Sequence, residues 1–171
     1  MNIFSLPRKG EYPSYYEIYI SKIKDDNFSG HILRQVSELR ECFQSKEECW
    51  NTKPYAEGKW SPKEVLGHIL DTDRIMTFRA LCIARGEQKA LPGFDQDPYV
   101  VAGKFNHVSV DLLLKDFEAQ RNALITLTQT MDESVLDKVG NSNGNPITPR
   151  GLFWIIVGHT MHHVNILKER Y

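Results

Sequence analysis

The run Ser61-Pro62-Lys63-Glu64 constrains this chain more than any other stretch. A serine in the N-cap position accepts a hydrogen bond from the backbone three residues on. A glutamate at that third position reaches back to the serine's own N–H, and a proline at the first helical position has no N–H to leave unsatisfied. A helix has to begin here. Nothing interrupts it before Gly86, so the expected helix runs from 62 to about 85. Thr148-Pro149 repeats the cap-plus-proline start, and the last expected helix runs from there to the C-terminus. Two further helices are expected from apolar residues at three- and four-residue steps. One spans Phe28 to Ser45, carries Ile32, Val36, Leu39 and Phe43, and is capped by Asp25-Asp26-Asn27. The other spans Asp111 to Met131, with Leu113, Phe117, Leu124 and Thr128 on one stripe.

These elements predict an all-α protein: a four-helix bundle with a long crossover between the second and third long helices, plus a short N-terminal helix over 12–24. At 171 residues the chain is expected to form a single domain, residues 1–171. Residues 46–60 read as a connector and 132–147, with Gly-Asn-Ser-Asn-Gly-Asn-Pro, as a plain loop. The segment 86–108 contains Pro92, Gly93, Pro98 and Gly103 and no sustained pattern. A loop of that length is uncommon and is often functional. It is long enough to cross a bundle from end to end, and is expected to shape the mouth of a pocket.

Composition narrows the function. Lysine plus arginine number 21 against 22 aspartate plus glutamate, so no basic excess exists to neutralise phosphates, and nucleic acid is not an expected partner. Cys42, Cys49 and Cys82 make an odd set without C-x-x-C spacing, which disfavours a disulfide scaffold or a cysteine zinc site and favours a reducing compartment. The first ten residues lack the apolar run of a signal peptide. The longest apolar stretch, Leu152 to Val157, is far short of a membrane span. A cytoplasmic protein that does not engage a membrane is expected.

The histidines carry the chemistry. With about 100° of rotation per residue, His163 falls about 40° from His159, with Leu152, Ile155 and Ile166 within about 40° on either side. Two histidines one turn apart thus lie in the middle of the last helix's apolar stripe. His162 falls on its margin and Asn165 outside it. His68 lies on the inward stripe of the capped helix, with Val65, Thr72, Ile75, Arg79 and Cys82. A buried imidazole with neither nitrogen satisfied is costly. A divalent metal would satisfy one nitrogen of each at once, so His68, His159 and His163 are the expected ligands. The bland alternative is three core histidines that are merely hydrogen-bonded. Three protein ligands leave a coordination position open, as in catalytic zinc sites. Such a metal lowers the pKa of water or binds a thiolate. Imidazole alone does not choose among zinc, nickel, iron and copper. His31 and His107 belong to no constellation.

Arg79 and Arg121 also fall on core stripes. Their stems either pack while the heads reach solvent, or they form an interior ion pair with Glu118, Asp116 or Asp71, or an anion clamp near the metal. Asp71 is placed either to hold a ligand imidazole by its second nitrogen or as a solvated rim charge. Trp60, Trp154 and the tyrosines read as core residues.

Residues 59–74 (KWSPKEVLGHILDTDR), the F-x-x-x-R at 117–121 and GHTMHHVNIL at 158–167 together resemble the DinB-like superfamily, which includes YfiT-like metal-dependent hydrolases and bacillithiol transferases. The similarity spans about 10–171. It implies a four-helix bundle of unusual connectivity and a divalent metal, nickel or zinc, on His68, His159 and His163. It also implies either activation of a thiol or water toward a small electrophile, with a low-molecular-weight thiol as co-substrate, or hydrolysis. Asp71, Thr72, Arg79, Arg121 and His162 are the expected outer-shell or pocket residues. The expected partner is a small-molecule substrate, and a homodimer is left open. The rival readings are a non-catalytic metal-binding stress-response bundle and a protein-interaction module.

Overall fold

The computed structural model describes residues 4–44 and 46–171. Met1 to Ile3, the start of the leader reading, and Ser45, the expected end of the second helix, lie outside the described residues. A 3-10 turn at Ser14–Tyr16 leads into α1 (Glu17–Ile20), shorter than the helix expected over 12–24. Helix α2 spans Phe28–Phe43, and Asn27 caps it by accepting the Gly30 N–H at 3.0 Å. The connector 46–60 holds a short helix, α3 (Glu48–Thr52), that periodicity could not reveal in five residues.

Helix α4 (Pro62–Ala84) begins in the expected capping box: Ser61 Oγ accepts the Glu64 N–H at 3.3 Å, and Glu64 accepts the Ser61 N–H at 2.7 Å. The crossover is not the plain loop expected. It contains α5 (Gln96–Gly103) and a 3-10 turn at Phe105–His107. Helix α6 (Val110–Gln129) follows. The expected loop 132–147 instead folds a hairpin, β1 (Gly140–Ser142) with β2 (Asn145–Ile147). Its turn residues Asn143 and Gly144 both have positive φ, which Asn-Gly supplies at little cost. Helix α7 (Pro149–Arg170) starts at Thr148, whose hydroxyl accepts the Gly151 N–H at 3.0 Å.

In the bundle α4 packs on α7 and α6, and α2 packs on α6 and α7. Ser61, at the start of α4, bonds Asn106 just before α6, so the two helices run parallel and the crossover returns the length of the bundle. No helix among the described residues is long and apolar enough to cross a membrane.

The core is split along the bundle axis. One apolar cluster gathers Phe28, Ile32, Met76, Ile83, Leu124 and Trp154; the other gathers Leu39, Leu66, Leu70, Phe117, Val164 and Leu167. Between them each long helix contributes buried polar groups: Gln35 from α2, Thr72 and Asp73 from α4, Arg121 from α6, His159 and Thr160 from α7. Polar burial without partners is destabilising, so this layer holds the residues to be accounted for.

Candidate metal centre

Helices α4 and α7 bring the three expected histidines together. His68 Nε2 lies 3.0 Å from His159 Nε2, and His163 Nε2 lies 3.1 Å from the same atom. One nitrogen from each sits within 4.8 Å of the others, and all three side chains are buried. Burial lowers the pKa of His68 to about 4 and of His163 to about 2, and drives His159 well below the ordinary value. Each ring is therefore neutral near pH 7, with a lone pair to offer. At a metal–nitrogen distance of about 2.0–2.1 Å, tetrahedral ligands stand roughly 3.4 Å apart. The two spacings about His159, 3.0 and 3.1 Å, are close to that, and all three nitrogens lie within 4.8 Å of one another. The donor set thus fits a divalent ion.

Two of the rings are positioned from outside. Thr72 Oγ1 lies 3.5 Å from His68 Nδ1. The Trp60 ring packs 4.8 Å from His68, and Tyr19 packs edge-on to His159 at 5.4 Å. Tyr19 can come so close because Gly158 has no side chain: a Cβ there would meet the Tyr19 carbonyl at 2.7 Å. Among the described residues His159 Nδ1 and His163 Nδ1 have no hydrogen-bond partner. On the converging side His159 Nε2, with only one proton or one lone pair, cannot satisfy both neighbouring Nε2 atoms, so a cation shared by the three rings is the simpler account of their meeting.

Two clefts reach the histidines. One, of about 220 Å³, is lined by Tyr16, Tyr19, Met76, Phe94 and Ile155 with His68, Thr72 and His159. The other, of about 320 Å³, is lined by Trp60, Lys59, Tyr55, Asp97 and Tyr171 with His163. Gln96, at the start of α5, lines both. The crossover therefore shapes the mouth, as expected.

The outer residues divide. Thr72 is in the site, whereas Asp71 is half-buried and makes no hydrogen bond to His68, whose second nitrogen faces Thr72. His162 is half-buried, with its ring 5.1 Å from that of His163 and Nδ1 3.3 Å from Lys22 Nζ. Arg121 does form an interior ion pair, but with none of the acids expected. Its Nη2 lies 2.7 Å from Asp73 Oδ2 and donates to Thr160 Oγ1 at 2.6 Å. Glu118 pairs with Arg40 and Asp116 with Arg74 at the surface. Asp73 escaped the sequence reading because it lies about 140° from His68 on the helical wheel. Its alignment with Leu66, Ile69 and Ala80 was the signal that could have found it. Arg79 neither reaches solvent nor pairs with an acid; its Nη2 donates to the Pro92 carbonyl at 2.6 Å. The aromatic walls, Trp60, Tyr19, Tyr16 and Phe94, were read as plain core or not singled out.

Residues 33–167 match the model of the DinB superfamily. A protein of Oceanobacillus iheyensis named a putative metal-dependent hydrolase is 26% identical over 142 residues, 80% of this chain and 81% of that protein. Among solved structures the fold matches YfiT from Bacillus subtilis, described as a probable metal-dependent hydrolase with an unusual four-helix bundle topology. The TM-score is 0.79 at 15% identity, over 99% of this chain and 95% of that one. Bundle, crossover and helix order thus agree with the reading of the sequence, and the chain belongs to the DinB superfamily.

Proposed function

We propose that this protein is a metal-dependent enzyme in which His68, His159 and His163 hold a divalent ion, nickel or zinc, and that it acts on a small molecule as a hydrolase or thiol transferase. The observation that carries the reading is the convergence of Nε2 atoms from three buried, neutral imidazoles that line two clefts. The relatives named as metal-dependent hydrolases support it. When bound, the ion would supply Lewis acidity that makes water or a thiol nucleophilic at neutral pH. The chain itself does the rest. The three imidazoles are held neutral by burial, Thr72 and Trp60 fix the His68 ring, Tyr19 fixes that of His159, and the aromatic walls exclude bulk water. Two separate approaches to one centre favour the two-reactant form, with a thiol in one cleft and its electrophile in the other.

Metal analysis of the purified chain beside His163→Ala tests the ligand set: about one ion per chain is expected in the first and a large loss in the second. Turnover of an ester or amide in water, against turnover of a haloarene with a low-molecular-weight thiol, separates hydrolysis from transfer. A chain that takes up no divalent ion would overturn the reading.

A further inference from the structure

The described residues include four buried cationic side chains: Lys63, Arg79, Arg121 and Arg150. Lys63 pairs with Glu48, Arg121 with Asp73, and Arg150 with Asp137 and Glu11. Arg79 alone of the four, at 4% exposure, forms no ion pair with a carboxylate among the described residues. A buried charge without a counter-charge is expensive; here the Pro92 carbonyl and the Phe94 ring offset part of that cost but leave the positive charge itself uncancelled.

The position of Arg79 says where a counter-charge would sit. Its Nη1 lies 3.7 Å from Met76 Sδ, and its guanidinium carbon lies 5.7 Å from the centre of the Phe94 ring. Met76 and Phe94 are two walls of the cleft that reaches His68 and His159. The cation thus sits one side chain behind that cleft. The charged or ionisable groups acting on it are the hydroxyls of Tyr15, Tyr16 and Tyr99. Burial pushes the Tyr16 hydroxyl further up from its ordinary range, so it stays neutral. Asp95, the one acid lining this cleft, is exposed at its rim, and Oδ1 accepts the Asp97 N–H at 3.2 Å.

The cleft's size and walls define the rest of the ligand. A cavity of about 150 Å³ lined by apolar side chains holds benzene, and this one measures about 220 Å³ with three aromatic rings, Met76 and Ile155 around it. One substituted ring, or an apolar group of that size, fills it.

We propose that this cleft binds a small organic anion with a flat apolar body, and that Arg79 sets the preference for its charge. The inference names the substrate class of the site proposed above. The metal reading reinforces it, since three neutral imidazoles leave the charge of a divalent ion uncancelled. The Arg79 argument stands without the ion, so the decisive measurement is made on metal-free protein.

Benzoate and benzamide share shape and differ in charge. Titration of each into the metal-free chain, followed by NMR or calorimetry, is expected to give at least about tenfold tighter binding of benzoate, because a charge facing a low-dielectric wall is weakly screened. Arg79→Gln is expected to remove the preference and Arg79→Lys to keep most of it. Phe94→Ala, on the crossover rather than in the core, is expected to weaken both probes alike. Equal affinities, or no binding of either ring, overturn the inference on the wild-type chain alone, whether or not Arg79→Gln folds. A benzoate preference that survives in folded Arg79→Gln overturns the role of Arg79. If the metal-free chain prefers benzoate but takes up no nickel, the metal reading fails and this one holds. If it takes up nickel but shows no preference when metal-free, the reverse is true.

Discussion

Two polar clusters lie side by side in the seam between the bundle's apolar halves, and they are solved in opposite ways. In the Asp73–Arg121–Thr160 cluster, groups of opposite charge from α4 and α6 meet, and a hydroxyl from α7 accepts a further bond from the arginine. Arg121 also lies against the face of Phe117, with its carbon 4.5 Å from the ring centre. The histidine cluster brings three groups of the same kind together, with the Nε2 atoms of His68 and His163 3.0 and 3.1 Å from that of His159. The first balances its charge within the chain, although Arg121 Nε and Nη1 and both Asp73 carboxylate oxygens lack a well-directed hydrogen bond among the described residues. On the function proposed above, the second would be completed by a cation from outside. Adjacent residues of α7 serve the two: His159 one, Thr160 the other. The difference separates a cluster that fixes how helices pack from one that binds, and it can be broken at either side.

The largest expected effect is on the charge-paired cluster. Asp73→Ala leaves a fully buried guanidinium without its counter-charge, and breaking a buried pair from one side typically costs about 3–5 kcal/mol. Chemical denaturation should show that loss in metal-free protein. Replacing both partners together, as Asp73→Leu with Arg121→Met, should restore most of it. A double variant as unstable as Asp73→Ala would mean the pair contributes more than mutual compensation.

His163→Ala should do the reverse. Removing one of three ligands should abolish measurable nickel or zinc uptake, and with it the rise in Tm on adding metal, since an ion bound only by the folded state stabilises it by mass action. The metal-free Tm should fall less than in Asp73→Ala. Equal losses of metal-free stability in the two variants would erase the distinction between the clusters.

Acid should separate them by sign. Burial lowers the folded-state pKa of His68 to about 4 and of His163 to about 2, against 6.5 for the exposed group. The folded chain then binds fewer protons than the unfolded one, and its stability falls as pH drops from about 6.5 through 4. Asp73 is the opposite case. Burial raises its pKa from 3.8 to about 6, although Arg121 pulls the other way. Its contribution is present below about 3.8 and is lost as pH rises through 6. Three histidines outweigh one aspartate, so metal-free protein should lose stability between pH 6.5 and 4. The Asp73→Leu, Arg121→Met double variant should lose it more steeply. A flat Tm across that window in metal-free protein would show that the rings are not held neutral by burial.

His162 tests how sharply the binding cluster ends. Its ring touches that of His163 edge-on, but its Nδ1 turns toward Lys22. Groups that hydrogen-bond a metal ligand change affinity about 10–100-fold when removed. His162 makes no such bond, so His162→Ala should weaken nickel or zinc binding by at most about tenfold. Loss of binding in His162→Ala with retention in His163→Ala would place the site on a different face of α7.

The same comparison explains what could be read from the sequence. His68, His159 and His163 stood out because they occupy positions on apolar stripes where leucine would be expected, and helical rotation alone brings i and i+4 to one face. The capping box at Ser61 and the cap at Thr148 fixed the phase of the two helices that carry them. Arg121 was legible as an inward charge, but its partner was not. Asp73 lies on a second buried stripe, and α4 is buried round most of its circumference, so one wheel angle does not rank its faces. The walls of the clefts were least legible. Tyr16, Tyr19 and Phe94 come from a four-residue helix, the turn before it and the crossover, which have too few residues for any period. They are placed by close approaches such as Tyr19 over Gly158, a long-range contact that local pattern does not encode.

The smallest effect expected lies outside both clusters and serves as their control. Ser61 accepts the Glu64 N–H and donates to Asn106 Oδ1 at 2.7 Å, so it ties the start of α4 to the end of the crossover. Ser61→Ala removes the cap bond, worth typically about 1 kcal/mol. Asn106 is half-buried, so water can replace the lost donor and little is added. The residue before it, Trp60, packs on His68, and the Trp60 carbonyl accepts from the Tyr171 hydroxyl, which anchors that wall independently of the serine. The His68 ring should therefore keep its place, and nickel or zinc affinity should be unchanged while the denaturation midpoint shifts. A fall in metal affinity larger than the stability loss can explain would mean that the helix start itself, rather than the packing of α4 on α7, sets the geometry of the histidines.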